Sequence, residues 1–350
     1  LGARVIKVET PEGDDARRIG PFIEDRSAYF MSLNHDKESI ALDLREEGDC
    51  VLFHKLLEKA DVLVENFRAG TMEKLGLGWE ELNARYPRLI YAATSGFGHT
   101  GPYNDRAAYD MVVQAMGGIM SLTGHPGGAP TRVGTSIGDI AAGLFTATGV
   151  NAALYQRQST GKGVKIDVAM LDCQLAILEN ALARFAATGE VPGPLGARHP
   201  SITPFDAFTT ADGYLVIAAG NDRLFERLCQ TLERTDLATN DLFADNHLRT
   251  RHSEALKDEL ETVLTTKPTV HWLALLEAAG VPCGPINNIA QVINDPQIAA
   301  RNMVVTCKDP VAGTVPILGN PIKISGVTDP TSRRPAPELD GDRKRILSEL

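Results

Sequence analysis

The chain has 350 residues, of which 43% are hydrophobic and 23% are charged, and its formal net charge is −10. This composition is typical of a folded globular protein, and the length predicts two domains rather than one core. The excess of Asp and Glu argues against nucleic acid as the main partner, because binding phosphates requires an excess of Lys and Arg.

The five cysteines are odd in number and widely spaced, at positions 50, 173, 229, 283 and 307. Without any C-x-x-C spacing they predict neither disulfides nor a zinc site, and they indicate a reducing compartment, the cytoplasm. The eight histidines show no paired ligand spacing, so no metal is expected. No apolar run is judged long enough to cross a bilayer, so we expect no membrane contact. Since Leu1 is not methionine, we expect the numbering to begin inside a longer chain.

The first half of the chain alternates apolar runs with amphipathic stretches. Strands are predicted at residues 4–9, 60–66, 89–94 and 164–170, and helices at 48–58, 79–86, 109–120, 137–157 and 171–187. This order predicts an α/β fold with a mainly parallel sheet and helices on both faces. Ligands of such sheets bind beyond the carboxyl ends of the strands, so the loops after Val64 and Thr94 are the first candidates for a site.

From Pro200 the pattern changes. A hairpin is predicted from 205–208 and 214–218, followed by helices at 222–232, 252–264 and 269–279. We therefore place a large domain at residues 1–199 and a smaller α+β domain at 200–298. The segment 299–350, with a proline-rich start, is expected to return to the large domain.

Two carboxylates lie close to the end of the strand predicted at 164–170. Asp172 falls in the first turn of the next helix, where the helix dipole stabilises a negative charge. The simpler interpretation is an ordinary acidic residue at a helix start. Asp167, within the strand, is either a general base or an edge residue that accepts a hydrogen bond.

The glycine-rich segment 95–102 follows a predicted strand, where backbone N–H groups can approach a phosphate or a thioester. Gly96, Gly98 and Gly101 satisfy G-x-G-x-x-G, but Pro102 follows at once and no helix opens there, so a dinucleotide site is not favoured. Residues 134–138 spell G-x-S-x-G without a firm strand before them, which indicates a helix start capped by Ser136. His199 is either an anion ligand or a solvated linker residue.

Several segments, in order along the chain, resemble family III CoA-transferases. They are residues 1–9 with Gly13-Asp14-Asp15 and Arg17, then 34–45, 61–70, 95–102, 161–172 and 280–285. The similarity extends from Leu1 to about Val327. Residues 197–200 and 204–206 most resemble the branch of the family that uses oxalate.

The resemblance implies a Rossmann-like large domain and two ring-like protomers interlocked as a homodimer, with the active site between the large domain of one and the small domain of the other. It implies that Asp172 is the nucleophile. The positions that match the family's CoA contacts are Leu42, Asp43, Arg45, Asn66, Phe67, Arg68, Lys74, Arg106 and Tyr109. Three departures concern the acid substrate more than the reaction: the first strand and helix of the family would precede Leu1, Thr10 replaces a basic residue, and 218–221 only partly matches a glycine-only loop.

The implied reaction transfers coenzyme A between an acyl-CoA and a small carboxylate such as oxalate, through an aspartyl anhydride and an aspartyl-CoA thioester. The CoA thioester is a substrate, and no permanently bound cofactor is expected. Backbone around Gly96 or Gly220 is the candidate oxyanion donor. Arg106 and His199 are candidates for the second carboxylate of a diacid.

Two alternatives remain open. A 2-methylacyl-CoA racemase of the same fold needs a base and an acid beside the α-carbon. The racemase histidine falls at Tyr109, followed by Asp110, and a tyrosine is a poor base at neutral pH. Asp167, however, does match the racemase aspartate. The other alternative is a CoA-binding protein that has lost activity.

Overall fold

The structure is a computed structural model, and it describes residues 2–350. The chain divides into two compact units, each built from separate segments. Within the described residues, the first unit contains 2–108, 142–170 and 289–350, and the second contains 109–141 and 171–288. This division differs from the sequence-based borders, because residues 109–141 and 171–199 group with the hairpin region that follows them.

The strands are short and spread over the whole chain. In order they are Ile6–Glu9 (β1), Phe22–Ile23 (β2), Arg26–Ser27 (β3), Glu38–Ala41 (β4), Val62–Glu65 (β5), Ile90–Ser95 (β6), Lys165–Ala169 (β7), Phe205–Thr209 (β8), Tyr214–Ala218 (β9), Cys283–Pro285 (β10), Val304–Asp309 (β11), Gly313–Leu318 (β12) and Ser332–Arg333 (β13).

The helices separate these strands in both units. The α-helices are Ala28–Asn34 (α1), Glu47–Lys59 (α2), Thr71–Lys74 (α3), Trp79–Arg85 (α4), Asp110–Met116 (α5), Ile119–Leu122 (α6), Ile137–Thr160 (α7), Met170–Ala176 (α8), Asn180–Thr188 (α9), Asp222–Thr231 (α10), Thr235–Ala238 (α11), Asn246–Arg251 (α12), Ser253–Leu264 (α13), Thr269–Ala278 (α14), Ile289–Ile293 (α15), Pro296–Ala300 (α16) and Arg343–Ser348 (α17). Short 3-10 helices span Asp15–Arg18 and Asp241–Phe243.

Parallel strands form the centre of the first unit. Strands β5, β6 and β7 make one parallel sheet with β6 in the middle, and β1 pairs with β4 in a second parallel sheet. The central strand β6 is almost entirely buried, as expected for a parallel strand covered on both faces. The predicted mixed α/β fold with parallel strands is therefore confirmed.

Apolar side chains from the helices and from both sheets form one core in this unit. Helix α2 contributes Phe53 and Leu57, one turn apart on the same face. They join a buried cluster that also contains Ile40, Leu42, Met72, Leu77, Leu82, Leu89, Tyr91, Ala93 and Ile346. Because Ile346 belongs to α17, the end of the chain takes part in the core of the first unit.

The C-terminal segment contains a hairpin that the sequence did not predict. Strands β11 and β12 pair in antiparallel register, and β13 pairs in parallel with β11. The sequence indicated only a proline-rich segment here; Pro316 lies in β12, an edge strand of this sheet, where a missing N–H is tolerated. The segment also binds β4 directly, since Asp340 accepts a hydrogen bond from the Ala41 N–H at 2.8 Å.

The second unit contains the predicted hairpin, β8 and β9, with β10 added beside β9. The helices predicted at 222–232, 252–264 and 269–279 are observed as α10, α13 and α14. Their apolar faces close a second core, which contains Phe208, Leu215, Ile217, Ala219, Phe225, Leu228, Cys229, Leu232, Leu237, Phe243, Leu256, Leu260, Leu264, Trp272, Leu276 and Val281.

Two predicted helices are each broken in the structure. The helix predicted at 109–120 is split into α5 and α6 at Gly117 and Gly118, and Gly118 has a φ of 90° that ends one helix and starts the next. The helix predicted at 171–187 is split into α8 and α9 before Asn180, where Glu179 has a φ of 51°. The apolar periodicity continues through both breaks and therefore concealed them.

By length and composition, helix α7 is long and apolar enough to cross a membrane. The prediction that the chain has no apolar run of this length was therefore wrong. One side of the helix packs on the parallel sheet, where Arg157 donates to the carbonyl oxygens of Asp61 and Arg88 at 3.2 and 2.9 Å. Its other side is apolar and uncovered within residues 2–350, with Leu144 65% and Tyr155 83% exposed.

Candidate active site

Asp172 is an exposed carboxylate on a firmly anchored turn. Strand β7 ends at Ala169, and Asp172 is the third residue of the seven-residue helix α8 that follows. The next two residues, Cys173 and Gln174, are buried at 5% and 0% exposure, whereas Asp172 is exposed. The first turn of α8 is thereby fixed while its carboxylate remains free to meet a ligand.

Gly117 allows α8 to pack closely against the end of α5. A Cβ at Gly117 would lie 2.5 Å from the Cβ of Gln174 and 2.8 Å from the carbonyl oxygen of Val113. Because these neighbours are a backbone atom and a Cβ rather than the end of a flexible side chain, any larger residue at position 117 would force α5 or α8 to shift. The amide nitrogen and oxygen of Gln174 are buried without a hydrogen-bond partner in the part of the chain that is described.

Asp110 links α5 to the start of α7. Its buried carboxylate accepts hydrogen bonds from the Gly138 N–H at 2.8 Å and from the Gln114 side-chain amide at 2.7 Å. Gln114 in turn accepts the Val133 N–H at 2.9 Å. The neighbouring Tyr109 is 82% exposed. Asp110 therefore has a bracing role, and the ring of Tyr109 is left accessible.

The loop that follows β5 is joined to the neighbouring strand β6 in the first unit. Asn66 donates its side-chain amide to the Thr94 carbonyl at 2.7 Å, and Glu65 accepts the Phe67 N–H at the same distance. The side chains of Phe67, Arg68 and Lys74 are exposed. The expected CoA contacts at 66–68 thus lie on one ordered loop at the carboxyl end of a parallel strand.

The expected contacts at 42–45 differ in exposure. The side chain of Leu42 is 1% exposed and lies in the core, so only its backbone can meet a ligand. Arg45 binds Asp43 through Nε and Nη2 at 2.8 and 2.7 Å and lowers the pKa of Asp43 to about 2. Because the Arg45 side chain is 77% exposed, its guanidinium can also contact a phosphate from solvent.

The glycine-rich loop after β6 is shaped by four local constraints. A Cβ at Gly96 would overlap that of Ala108, and Gly98 has a φ of 80°. The Gly98 N–H donates to the Ser95 hydroxyl at 3.0 Å, and the His99 N–H donates to both carboxylate oxygens of Asp167 at 3.2 and 3.0 Å. Because those two amides are engaged, the Gly96 N–H remains the candidate oxyanion donor of this loop.

Arg106 lies in an aromatic stack beyond the same loop. Its guanidinium lies over the Tyr103 ring, 4.4 Å from the centroid, and that ring meets Phe97 edge-on at 5.7 Å. A cation held by stacking keeps its outer N–H groups available for an anion. Arg106 therefore stays a candidate ligand for a carboxylate or a phosphate.

A buried polar cluster joins β5, β6, β7 and the glycine-rich loop. His99 Nδ1 lies 3.1 Å from Lys165 Nζ, and His99 Nε2 lies 3.6 Å from Glu65 Oε1. Tyr91 donates its hydroxyl to the same Glu65 oxygen at 3.3 Å. Burial raises the pKa of Glu65, against the lowering effect of the Phe67 N–H and His99. The sequence analysis missed this cluster, although strand alternation does put Lys165 and Asp167 on one face of β7.

The remaining candidates lie in the second unit. His199 packs edge-on against Phe205, its N–H donates to the Phe205 carbonyl at 2.9 Å, and its Nδ1 accepts the Ser201 N–H at 3.1 Å. Gly220 is exposed just before α10, and a Cβ there would lie 3.1 Å from Ile202. The ring nitrogen Nε2 of His199 and the backbone of Gly220 are the groups that these positions can offer to a ligand.

Among residues 2–350 no group of three or more His, Cys, Asp or Glu side chains could hold a metal ion. The fold is that of an α/β protein with parallel strands, and Asp172 is an exposed carboxylate just beyond the end of one of them.

Comparison with known proteins specifies the class. The model of CoA-transferase family III matches residues 1–343. The chain is 50% identical over 352 residues to acetyl-CoA:oxalate CoA-transferase of Acetobacter aceti, covering 100% of this chain and 89% of that protein. It is 39% identical over 363 residues to succinate–glutarate CoA-transferase of Agrobacterium fabrum, with 100% and 89% covered.

A solved structure of a CAIB/BAIF family protein from Brucella suis superimposes with a TM-score of 0.86 at 42% identity, covering 100% of this chain and 92% of that one. The chain belongs to CoA-transferase family III, and it is an enzyme that transfers CoA between acyl-CoA and carboxylates.

Proposed function

We propose that this enzyme transfers CoA from an acyl-CoA such as acetyl-CoA to oxalate, with Asp172 as the covalent nucleophile. The observation that carries the proposal is the exposed carboxylate of Asp172 on a turn whose next two residues are buried. Half of all positions match the oxalate-named relative, which supports oxalate as the acceptor.

The proposed chemistry begins with attack of an Asp172 carboxylate oxygen on the thioester carbonyl. The C–S bond breaks, CoA leaves as the thiolate, and a mixed anhydride remains. The thiolate then attacks the aspartyl carbonyl, which releases the donor acid and leaves an aspartyl-CoA thioester. Oxalate attacks this thioester and forms a second anhydride, and the thiolate finally takes the oxalyl group and restores the carboxylate. No net proton is transferred.

Each attack creates an oxyanion that requires hydrogen-bond donors. The backbone N–H groups at Gly96 and Gly220 are the two candidate donors. Arg45, Arg68 and Lys74 are exposed cations suited to the phosphates of CoA, and Asn66 and Phe67 lie on the same ordered loop as Arg68. Arg106 or His199 is the proposed partner for the distal carboxylate of oxalate.

The proposal includes a homodimer. The apolar side of α7 carries Leu144, Phe145 and Tyr155, which are 65%, 43% and 83% exposed. Exposed apolar patches of this kind mark interaction surfaces, and a second copy of the chain is the proposed cover. Sedimentation equilibrium should give the mass of two chains, and a Leu144→Glu, Tyr155→Glu double variant should give one. A wild-type protein that sediments with the mass of a single chain would exclude the homodimer.

The nucleophile is tested by trapping. Incubation with acetyl-CoA followed by intact-mass and peptide analysis should show a CoA adduct at Asp172 that hydroxylamine releases. Asp172→Asn and Asp172→Ala should abolish both adduct and transfer, whereas Asp258→Asn, on an exposed face of α13, should retain both. Full transfer by Asp172→Ala, or an adduct elsewhere, would refute the mechanism.

The racemase alternative gains no support from its two residues. Position 109 carries a tyrosine where the racemase has a histidine, and the Asp167 carboxylate already accepts the His99 N–H with both oxygens. Incubation of a 2-methylacyl-CoA in deuterium oxide tests this alternative, because a racemase exchanges the α-hydrogen and a transferase does not. A protein that binds CoA but exchanges no labelled acid would instead support the inactive alternative.

A further inference from the structure

His99 occupies a junction between the glycine-rich loop and two strands of the sheet. Its backbone N–H binds Asp167 of β7, its Nδ1 meets Lys165 of the same strand, and its Nε2 faces Glu65 at the end of β5. The imidazole is only 8% exposed, and the Glu65 carboxylate 3%. The three contacts span 34 to 68 residues of sequence, so the fold has assembled them.

The hydrogen-bond pattern assigns one tautomer to His99. A lysine ammonium group has donors only, so Nδ1 must accept from Lys165 Nζ, and the ring proton of a neutral imidazole must then lie on Nε2. That N–H points toward Glu65 Oε1 at 3.6 Å, beyond hydrogen-bond range, and Nε2 has no other partner among the described residues. A buried N–H without an acceptor is unfavourable, so the folded protein is stabilised when the Nε2–H of His99 comes close enough to Glu65 to form a hydrogen bond.

Glu65 also belongs to the loop that precedes the expected CoA contacts. Its other oxygen, Oε2, accepts the Phe67 N–H at 2.7 Å, which fixes the backbone next to Asn66. A shift of roughly half an ångström would bring the His99 Nε2–H into hydrogen-bond range of Glu65. Such a bond would tie the glycine-rich loop to the loop at 66–68.

We propose that His99 is a positioning residue: held in the Nε2–H form by Lys165, it closes onto Glu65 when acyl-CoA binds and fixes the backbone of the Gly96 loop toward the reacting carbonyl. This proposal rests on the proposed function, because it assigns the Gly96 loop to that reaction. In this proposal neither His99 nor Glu65 contacts the substrate. Both act through the backbone that they hold.

The test separates the two ring nitrogens. His99→Gln places an amide N–H near the Nε2 position, and His99→Asn places a carbonyl oxygen near Nδ1 without reaching Glu65. We expect kcat to fall about 10- to 100-fold in His99→Ala and His99→Asn with KM for acetyl-CoA within about threefold, since orientation rather than binding is lost. His99→Gln should recover most of kcat.

Asp167 provides a second test outside the buried cluster, because its side chain is exposed. Asp167→Ala frees the loop N–H and should lower kcat, whereas Asp167→Asn keeps an acceptor oxygen and should retain most of it. Thermal unfolding of every variant, followed separately, identifies any that fail to fold.

Two results would overturn the proposal: equal kcat values for His99→Ala, His99→Gln and wild type, or equal values for Asp167→Ala and Asp167→Asn. Either would leave the proposed function intact as long as the wild type still forms the Asp172 adduct. Loss of the adduct in the wild type would refute the function itself, so the two failures are distinguishable.

Discussion

The side-chain amide of Asn66 donates to the carbonyl oxygen of Thr94 at 2.7 Å and so joins the loop after β5 to the carboxyl end of the adjacent parallel strand β6. Thr94 is itself held from the other side, because its hydroxyl lies 2.7 Å from that of Thr146 on α7. The carboxyl edge of the sheet is thus braced before any substrate arrives. Ligands of parallel sheets bind at this edge.

Asn66→Ala should therefore raise the KM for acyl-CoA several-fold with little change in kcat, and it should cost about 1 kcal/mol of stability for the lost hydrogen bond. Asn66→Asp should raise the KM and lower the stability more than Asn66→Ala does, because a carboxylate would face the Thr94 carbonyl. Asn294→Ala, which removes an exposed side-chain bond to Ala290, is the matched control. Steady-state kinetics and urea unfolding measure both effects, and wild-type KM in Asn66→Asp would contradict the assignment.

Removal of Arg45 or Lys74 tests the phosphate contacts. Arg45→Met and Lys74→Met should each raise the KM for acetyl-CoA by about 10-fold, as expected for a lost charge-assisted contact of roughly 1.4 kcal/mol. Acetyl-pantetheine lacks the nucleotide phosphates, so its KM should not change in either variant. An equal rise with both thioesters would show that these cations act on something other than the phosphates.

Gly117→Ala should disturb the turn that carries Asp172. The added methyl would lie 2.5 Å from Gln174 Cβ, and such overpacking typically costs about 1–3 kcal/mol. Because α8 must shift to relieve the overlap, kcat should fall as well. Gly48→Ala on α2 meets nothing within 4 Å and should be neutral or stabilise by about 0.5–1 kcal/mol. If both alanine variants unfold at the wild-type midpoint, the close approach of Gly117 to Gln174 does not affect stability.

Glu9 should contribute to stability at neutral pH but not in acid. Burial alone would raise its pKa, but hydrogen bonds from Arg17, Ser39 and the Asp14 N–H lower it overall. The folded pKa is therefore below the unfolded one, so the stabilisation is complete above the unfolded pKa, about 4.3, and is lost as pH falls through the folded pKa.

Glu9→Gln should consequently cost about 3 kcal/mol at pH 7, because it breaks a buried pair with Arg17, and the difference from wild type should shrink below about pH 4. Glu58→Gln is the control: its contact with Arg85 is 3.9 Å long and largely exposed, and such pairs contribute less than about 1 kcal/mol. Urea unfolding across this pH range checks both, and a pH-independent difference would contradict the argument.

Arg249 should be essential to the fold of the second unit. Its guanidinium, fully buried, donates to the carbonyls of Thr203 and Phe243 and to the carboxylate of Asp222. Arg249→Met would leave both carbonyls without this donor and should cost about 3 kcal/mol or more. Arg234→Met, at a surface network with Asp236 and Glu259, should cost less than about 1 kcal/mol. Comparable unfolding midpoints for the two variants would refute this ranking.

Local patterns predicted much of the fold correctly. The hairpin around Asp212-Gly213 and helices α10, α13 and α14 were found from alternation and helical periodicity, since each depends mainly on neighbours in the chain. The position of Asp172 after a strand end was found in the same way. The same reasoning did not find β12, which contains Pro316, because the place of this strand at a sheet edge is decided by strand order and not by local sequence.

The sequence by itself determined the alternation of strands and helices, the parallel pairing and the family, because these follow from periodicity, chain order and matching segments. Only the tertiary structure decided which glycines allow close contact, as Gly117 does against Gln174, and where helices break. It alone assembled Glu65, His99 and Lys165, which are too far apart in the chain for any local pattern to relate. The physical reason is that burial and hydrogen bonding of such groups depend on distances that close only when the strands pair.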